Sequence, residues 1–108
     1  MITIYHNPRC SKSRAALEIS QQYAQQNNLP LQIVDYLKTP LNLAELRTLQ
    51  MQLGAQSNEL VREHSDLTPE QQCQILLNQP ELLQRPIISF QGKAVIARPT
   101  ELIYTVLL

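Results

Sequence analysis

Ile2-Thr3-Ile4-Tyr5-His6-Asn7-Pro8-Arg9-Cys10-Ser11-Lys12-Ser13-Arg14 is the stretch from which the rest of the chain is read. Ile2 to Tyr5 is β-branched and aromatic and predicts a short strand. His6-Asn7-Pro8 breaks it. From about Ser11 to about Asn27 the pattern turns helical: Ala16, Ile19 and Tyr23, with Leu17, Ser20 and Ala24 beside them, make one apolar face. Asn27-Asn28-Leu29-Pro30 ends that helix, and Leu31 to Tyr36 is a second apolar strand. A strand, a helix and a strand in succession require a right-handed parallel crossover.

Beyond this unit, Thr39-Pro40 reads as a turn. Asn42 and Glu45 form a capping pair ahead of Leu43, Leu46, Leu49 and Leu53, and Gly54 stands at the C-terminal cap. Ser57 is placed to cap a short helix carrying Leu60 and Val61. Thr68-Pro69-Glu70-Gln71 is a strong helix start, with Cys73, Leu76 and Leu77 following and an end near Asn78-Gln79-Pro80. Ile87 to Phe90 and Ala94 to Ala97, joined by Gln91-Gly92-Lys93, form a hairpin. Pro99 opens a last helix with Leu102, Ile103, Val106 and Leu107 facing inward. The order predicts one α/β domain over 1–108. Its core is a thioredoxin-like four-stranded mixed sheet (β-α-β, then β-β-α), with a helical insertion at about 41–84 between strands 2 and 3.

Composition narrows the function. The chain has 108 residues, nine basic and nine acidic, so the formal net charge is zero. A general nucleic-acid surface is excluded, because phosphate backbones select a basic face. Gly54 and Gly92 are the two glycines, which excludes both the dinucleotide-binding and the P-loop fingerprints. Cys10 and Cys73 form no C-x-x-C pair and no zinc quartet, so no metal is expected and the thiols suggest a reducing, cytoplasmic setting. No apolar run is long enough to span a membrane.

The chemistry concentrates between the first strand and the first helix, where open α/β sheets bind ligands. Cys10 falls at or just before a helix N-terminus, whose free N–H groups and dipole favour an anion. Arg9, Lys12 and Arg14 add positive charge ahead of the first acidic residue, Glu18. These features lower a thiol pKa and expose a thiolate nucleophile beside a site that accepts an oxyanion. His6 has three roles open to it: donating to the thiolate, shuttling a proton, or bracing the loop. Without C-x-x-C an ordinary thioredoxin is excluded, and Arg14 lies too close to Cys10 for a Cys-x5-Arg phosphate loop.

His6-Asn7-Pro8-Arg9-Cys10-Ser11-Lys12-Ser13-Arg14 resembles the active-site loop of the glutaredoxin-coupled arsenate reductases, H-N-P-x-C-x-x-S-R. Tyr36-Leu37-Lys38-Thr39-Pro40 is similar to that family's Y-L-x-T-P. Glu59-Leu60-Val61-Arg62 resembles its helix bearing the first distal arginine. Gln84-Arg85-Pro86-Ile87-Ile88 resembles R-P-I-V, and Ala97-Arg98-Pro99-Thr100-Glu101 resembles R-P-x-E. Two departures stand out. The reductases often read C-G-T-S-R where this chain has Cys10-Ser11-Lys12-Ser13-Arg14, and the stretch from Arg62 to Arg85 is shorter than theirs.

The resemblance implies that Cys10 attacks arsenate to form a covalent thiol–arsenic adduct, with His6 supporting the thiolate. It implies that Arg62, Arg85 and Arg98 bind the oxyanion, with Ser13 and Arg14 completing the substrate-binding set, and that Pro86 follows a cis bond. Several guanidinium forks suit the task, since a thiolate attacking arsenate sets two anions against each other. Read from its own surroundings, Arg62 is equally able to pair with Glu59, Glu63 or Asp66. The resemblance implies glutathione as co-substrate, no bound cofactor, and glutaredoxin as partner of a monomer that turns arsenate into arsenite. Two alternatives stand beside it. One is a thioredoxin-fold regulator or adaptor binding a protein such as RNA polymerase. The other is a glutathione-dependent thiol oxidoreductase with another substrate. Cys73 shares a helical face with Leu76 and Leu77 and reads as a core residue, and His64 as an exposed one.

Overall fold

In a computed structural model, which describes residues 1–107, β1 (Ile2–His6) runs parallel to β2 (Leu31–Asp35) and antiparallel to β3 (Ile87–Phe90). β3 in turn pairs antiparallel with β4 (Lys93–Ile96). The order is β2-β1-β3-β4, a mixed four-stranded sheet. The thioredoxin-like α/β arrangement is therefore the observed one. Helix α1 (Ser11–Gln26) makes the crossover from β1 to β2. Its end is a Schellman motif. Asn28 takes the left-handed conformation at φ 52°, and the Leu29 N–H reaches back to the Ala24 carbonyl at 2.9 Å.

Alternation along the strands buries both faces of the sheet. Ile2, Ile4, Ile88 and Val95 join Ala16, Ala24, Ile103 and Leu107 in one core cluster. Ile87, Ala94 and Ile96 face the opposite way, into a second cluster with Tyr36, Leu46, Leu49, Leu53, Leu60, Leu76 and Leu83. Fully burying each such aliphatic side chain contributes about 1.5–3 kcal/mol, which makes these clusters the main favourable term.

The second cluster is supplied by the segment between β2 and β3. Helix α2 (Leu43–Leu53) starts at Asn42 and α3 (Pro69–Asn78) at Thr68, each with both reciprocal bonds of a capping box, to Glu45 and Gln71 respectively. Leu46, Leu49 and Leu53 turn inward, while Leu43 and, on α3, Leu77 stay exposed. Glutamines do much of the polar joining. Gln72 is buried and donates to the Ser57 carbonyl at 2.8 Å. Gln56 both donates to the Ile96 carbonyl and accepts the Ile96 N–H, at 3.2 and 2.9 Å, which satisfies a residue on the free side of β4.

Three expectations are corrected. Ser57 caps no helix: Gly54, at φ 58°, ends α2, and a 3-10 helix over Gly54–Glu59 holds Ser57 inside it, with Leu60 at its C-cap. The last helix is also 3-10, over Thr100–Thr105, because Thr, Ile, Tyr and Thr are weak helix formers and the run is short. The second strand stops at Asp35, whose carboxylate accepts the Leu37 N–H at 3.1 Å and turns Tyr36 out of the ladder.

Candidate active site

The carboxyl ends of β1 and β2 lie side by side, with His6 opposite Asp35. The next residues, Asn7 and Tyr36, are joined by a bond from the Asn7 amide nitrogen to the Tyr36 hydroxyl at 3.3 Å. Asn7 also folds the loop. Its Oδ1 accepts the Arg9 N–H and its carbonyl accepts the Cys10 N–H, each at 3.0 Å. Cys10 then occupies the N-cap of α1 in an extended conformation (φ −95°, ψ 121°).

At this N-cap a sulfur stands where an oxygen acceptor is usual. It closes no formal capping bond, yet the field of the helix end still acts on it. Burial is the strongest single influence on Cys10 and pushes its thiol up. It is outweighed by the Ser13 N–H, the Arg85 guanidinium acting as donor, the Lys12 N–H, and the Arg85 charge. The thiol therefore lies below its ordinary value. Cys10 is only partly buried and is a free thiol.

Ser13 and His6 brace this arrangement from beneath. Ser13 is fully buried, and its hydroxyl lies 2.6 Å from His6 Nδ1 while accepting the Asn7 N–H at 3.0 Å. The hydroxyl keeps a second lone pair as well as its own proton, so this buried bond joins Ser13 to either tautomer of the imidazole. Burial, the largest influence, pushes His6 below its ordinary value. Asp35 pulls it up, Arg14 pushes it further down, and a hydrogen bond to the Ser13 backbone pulls it up again. Of the three roles open to His6, the geometry supports the brace. It reaches the thiol through Ser13, and Ser13 faces the sulfur with its backbone N–H, not its hydroxyl.

The arginines arrive from the other side. Val61 bridges Leu83, and this two-residue ladder is closed by the Arg62 N–H to the Leu82 carbonyl and the Gln84 N–H to the Leu60 carbonyl, each at 2.8 Å. Arg62 and Arg85 are thereby carried to the same end of the sheet. Arg85 acts directly on Cys10, and its Nε is buried without a hydrogen bond. Arg98 donates to the Arg85 carbonyl at 3.0 Å. Among the described residues no carboxylate pairs with Arg62, so none of its possible pairings with Glu59, Glu63 or Asp66 forms. Its charge is felt at the Tyr36 hydroxyl instead. Arg14 is exposed and donates to the Pro8 carbonyl at 3.0 Å, which braces the loop from outside. The Arg85–Pro86 bond is cis, and so is Arg98–Pro99.

Asn7 and Tyr36 are the site residues that sequence reasoning passed over. Tyr36 was visible within the Tyr36-to-Pro40 stretch, and Asn7 within the loop itself, but only as markers of resemblance. Cys73 is buried on α3, with its sulfur 3.7 Å from Gln50 Oε1. No cluster of three or more His, Cys, Asp or Glu side chains able to hold a metal occurs among the described residues. No helix among them is long and apolar enough to cross a membrane.

The pattern of the ArsC family matches residues 5–106. An uncharacterized protein of Escherichia coli strain K12, YfgD, is 39% identical and covers 93% of this chain and 91% of its own length. An arsenate reductase of Neisseria meningitidis serogroup A is 36% identical over 98% of this chain and 97% of its own. Among solved structures, an arsenate reductase from Vibrio cholerae superposes with a TM-score of 0.79 at 29% identity, covering 98% of this chain and 97% of that one.

Proposed function

The chain belongs to the ArsC family, and on that basis we propose that it reduces arsenate to arsenite through an adduct on Cys10, with glutathione as co-substrate and glutaredoxin as partner. The supporting observation is the Cys10 thiol. It sits at the N-cap of α1, lies below its ordinary value, and faces the Arg85 guanidinium. In the proposed reaction the Cys10 thiolate attacks arsenic, a sulfur–arsenic bond forms, and one arsenate hydroxyl leaves as water after gaining a proton. Glutathione then attacks the adduct. Two electrons pass to arsenic, arsenite leaves, and the sulfurs of Cys10 and glutathione end as a mixed disulfide that glutaredoxin reduces. No bound cofactor is required, and the reaction belongs to a reducing, glutathione-rich compartment such as the cytoplasm.

Within this reading Arg62, Arg85 and Arg98 offset the charge of the dianion and of the attacking sulfur. Arg85 acts on the nucleophile itself. Arg98 holds the Arg85 backbone and has donors left for an oxygen. Ser13 contributes its N–H, and Arg14 and His6 keep the loop in place. A cationic site gathered around one activated thiol favours this reading over an adaptor that needs no anion.

The test is arsenate-dependent NADPH oxidation with glutathione, glutaredoxin and glutathione reductase supplied, comparing the native protein with Cys10→Ser. Turnover that vanishes in the variant is expected. No turnover in a folded native protein with a reactive Cys10 overturns the proposal.

A further inference from the structure

The phenol of Tyr36 has a role that the cysteine and the arginines leave open. Tyr36 is 1% exposed. Its ring is anchored in the core cluster with Leu41, Leu46, Leu76 and Leu83, yet its hydroxyl leaves that apolar setting and meets Asn7 in the Cys10 loop. There the oxygen accepts the Asn7 amide hydrogen. Its own proton has no acceptor among the described residues. A buried hydroxyl normally uses its donor as well as its acceptor. Nearby, Arg85 Nε is a second buried donor without a partner. Two unused donors at one thiol, with Arg62 beside them, ask for an acceptor with several oxygens.

We propose that Tyr36 is a further substrate-contacting residue, whose hydroxyl, held by Asn7, donates a hydrogen bond to an oxygen of the tetrahedral oxyanion bound at Cys10. The electrostatic surroundings agree. Burial, the largest influence, pushes the phenol up and keeps it protonated. The Asn7 bond and the charges of Arg85 and Arg62 draw it down, and Cys10 pushes it up. The hydroxyl is thus within the field of the thiol and of two of the arginines. Asn7 becomes a positioning residue, because it orients the phenol and holds the Cys10 N–H in one turn.

The inference rests on the oxyanion reading of the site, but its test does not need turnover. Cys10 is alkylated with iodoacetamide, without glutathione, over a range of arsenate or phosphate concentrations, in the native protein and in Tyr36→Phe. The variant keeps the ring in the core and loses only the hydroxyl. We expect the protecting anion concentration to rise about tenfold, the lower end for one hydrogen bond to a charged group, while alkylation without anion stays within about twofold. Protection that is unchanged overturns the inference. So does an alkylation rate without anion that changes as much as the protection does, since Tyr36 would then act through the loop. If Tyr36→Phe does not fold, the native protein labelled with carbon-13 at tyrosine Cζ serves instead. Arsenate or phosphate should shift the Tyr36 resonance, and no shift overturns the inference. A native protein that is protected by the anion but reduces no arsenate leaves this contact standing and removes the proposed function.

Discussion

Arg85→Gln isolates what one guanidinium does to the nucleophile. Arg85 acts on Cys10 both as donor and as charge, and both effects favour the thiolate. A hydrogen bond to a charged group contributes about 1.5–3 kcal/mol. Cys10 is only partly buried, so the lower end applies. That is about tenfold in thiolate population where the thiol is mostly protonated. The rate responds less steeply, because a more basic thiolate is a better nucleophile, with a Brønsted slope of about 0.4–0.5. The net expectation is a fall of about three- to fourfold in the rate of thiol–disulfide exchange. The assay is reaction with 2,2′-dithiodipyridine at mildly acidic pH. This probe is neutral, so losing a positive charge does not act through its attraction to the protein. A Cys73→Ala background leaves Cys10 as the single thiol. Arg85→Lys keeps the charge but loses the fork, and should fall between the two. A rate for Arg85→Gln equal to that of the parent, in a protein with the same thermal midpoint, would refute the assignment of Arg85 to the thiol.

Ser13→Ala removes the hydroxyl between His6 and the Asn7 N–H and leaves both without their partner. We expect a loss of about 1–3 kcal/mol in urea unfolding. The His6 imidazole titrates below its ordinary value when folded. The unfolded chain therefore binds more protons as pH falls through about 6.5, and stability present above that pH is lost below it. Between pH 7.5 and pH 5 the native protein should lose more unfolding free energy than His6→Asn, and parallel pH curves for the two would count against the buried neutral imidazole. Gln56→Ala strips Ile96 of two bonds and should cost about 1–2 kcal/mol by thermal or urea unfolding. Cys73→Ala should leave arsenate turnover within about twofold in the coupled assay, and loss of turnover would make Cys73 a resolving thiol.

The fold was legible where one local rule acted alone. The apolar spacing in α1, the capping boxes at Asn42 and Thr68, and the β3–β4 hairpin each announce themselves within a few residues. What the sequence concealed was set by tertiary context. Ser57 has the composition of a helix cap, but its carbonyl is needed by both the Leu60 N–H and Gln72. Pro99 promised an α-helix that weak helix formers cannot propagate. At the site, Cys10 could be placed at a helix N-terminus from its neighbours. The partner of His6 could not be named, because two buried groups seven residues apart meet only when the loop has turned. Tyr36 was hidden for a related reason. Its ring reads as core, and only the position of Asn7 shows that its hydroxyl belongs elsewhere.

The short ladder at Val61 and Leu83 also bears on how this fold varies among relatives. It ties together the two ends of the excursion that carries α3, so Arg62 and Arg85 are positioned at the base of a closed loop. A change in the length of chain beyond that base leaves these backbone bonds, and so the backbone positions from which the two arginines start, in place. Closing a longer loop costs little, about 0.6 kcal/mol for each doubling of its length. Natural variation can therefore resize the rim around the thiol without disturbing the backbone that carries the cations beneath it. The spacing between the arginines in the sequence is accordingly a poor guide to their spacing in the protein.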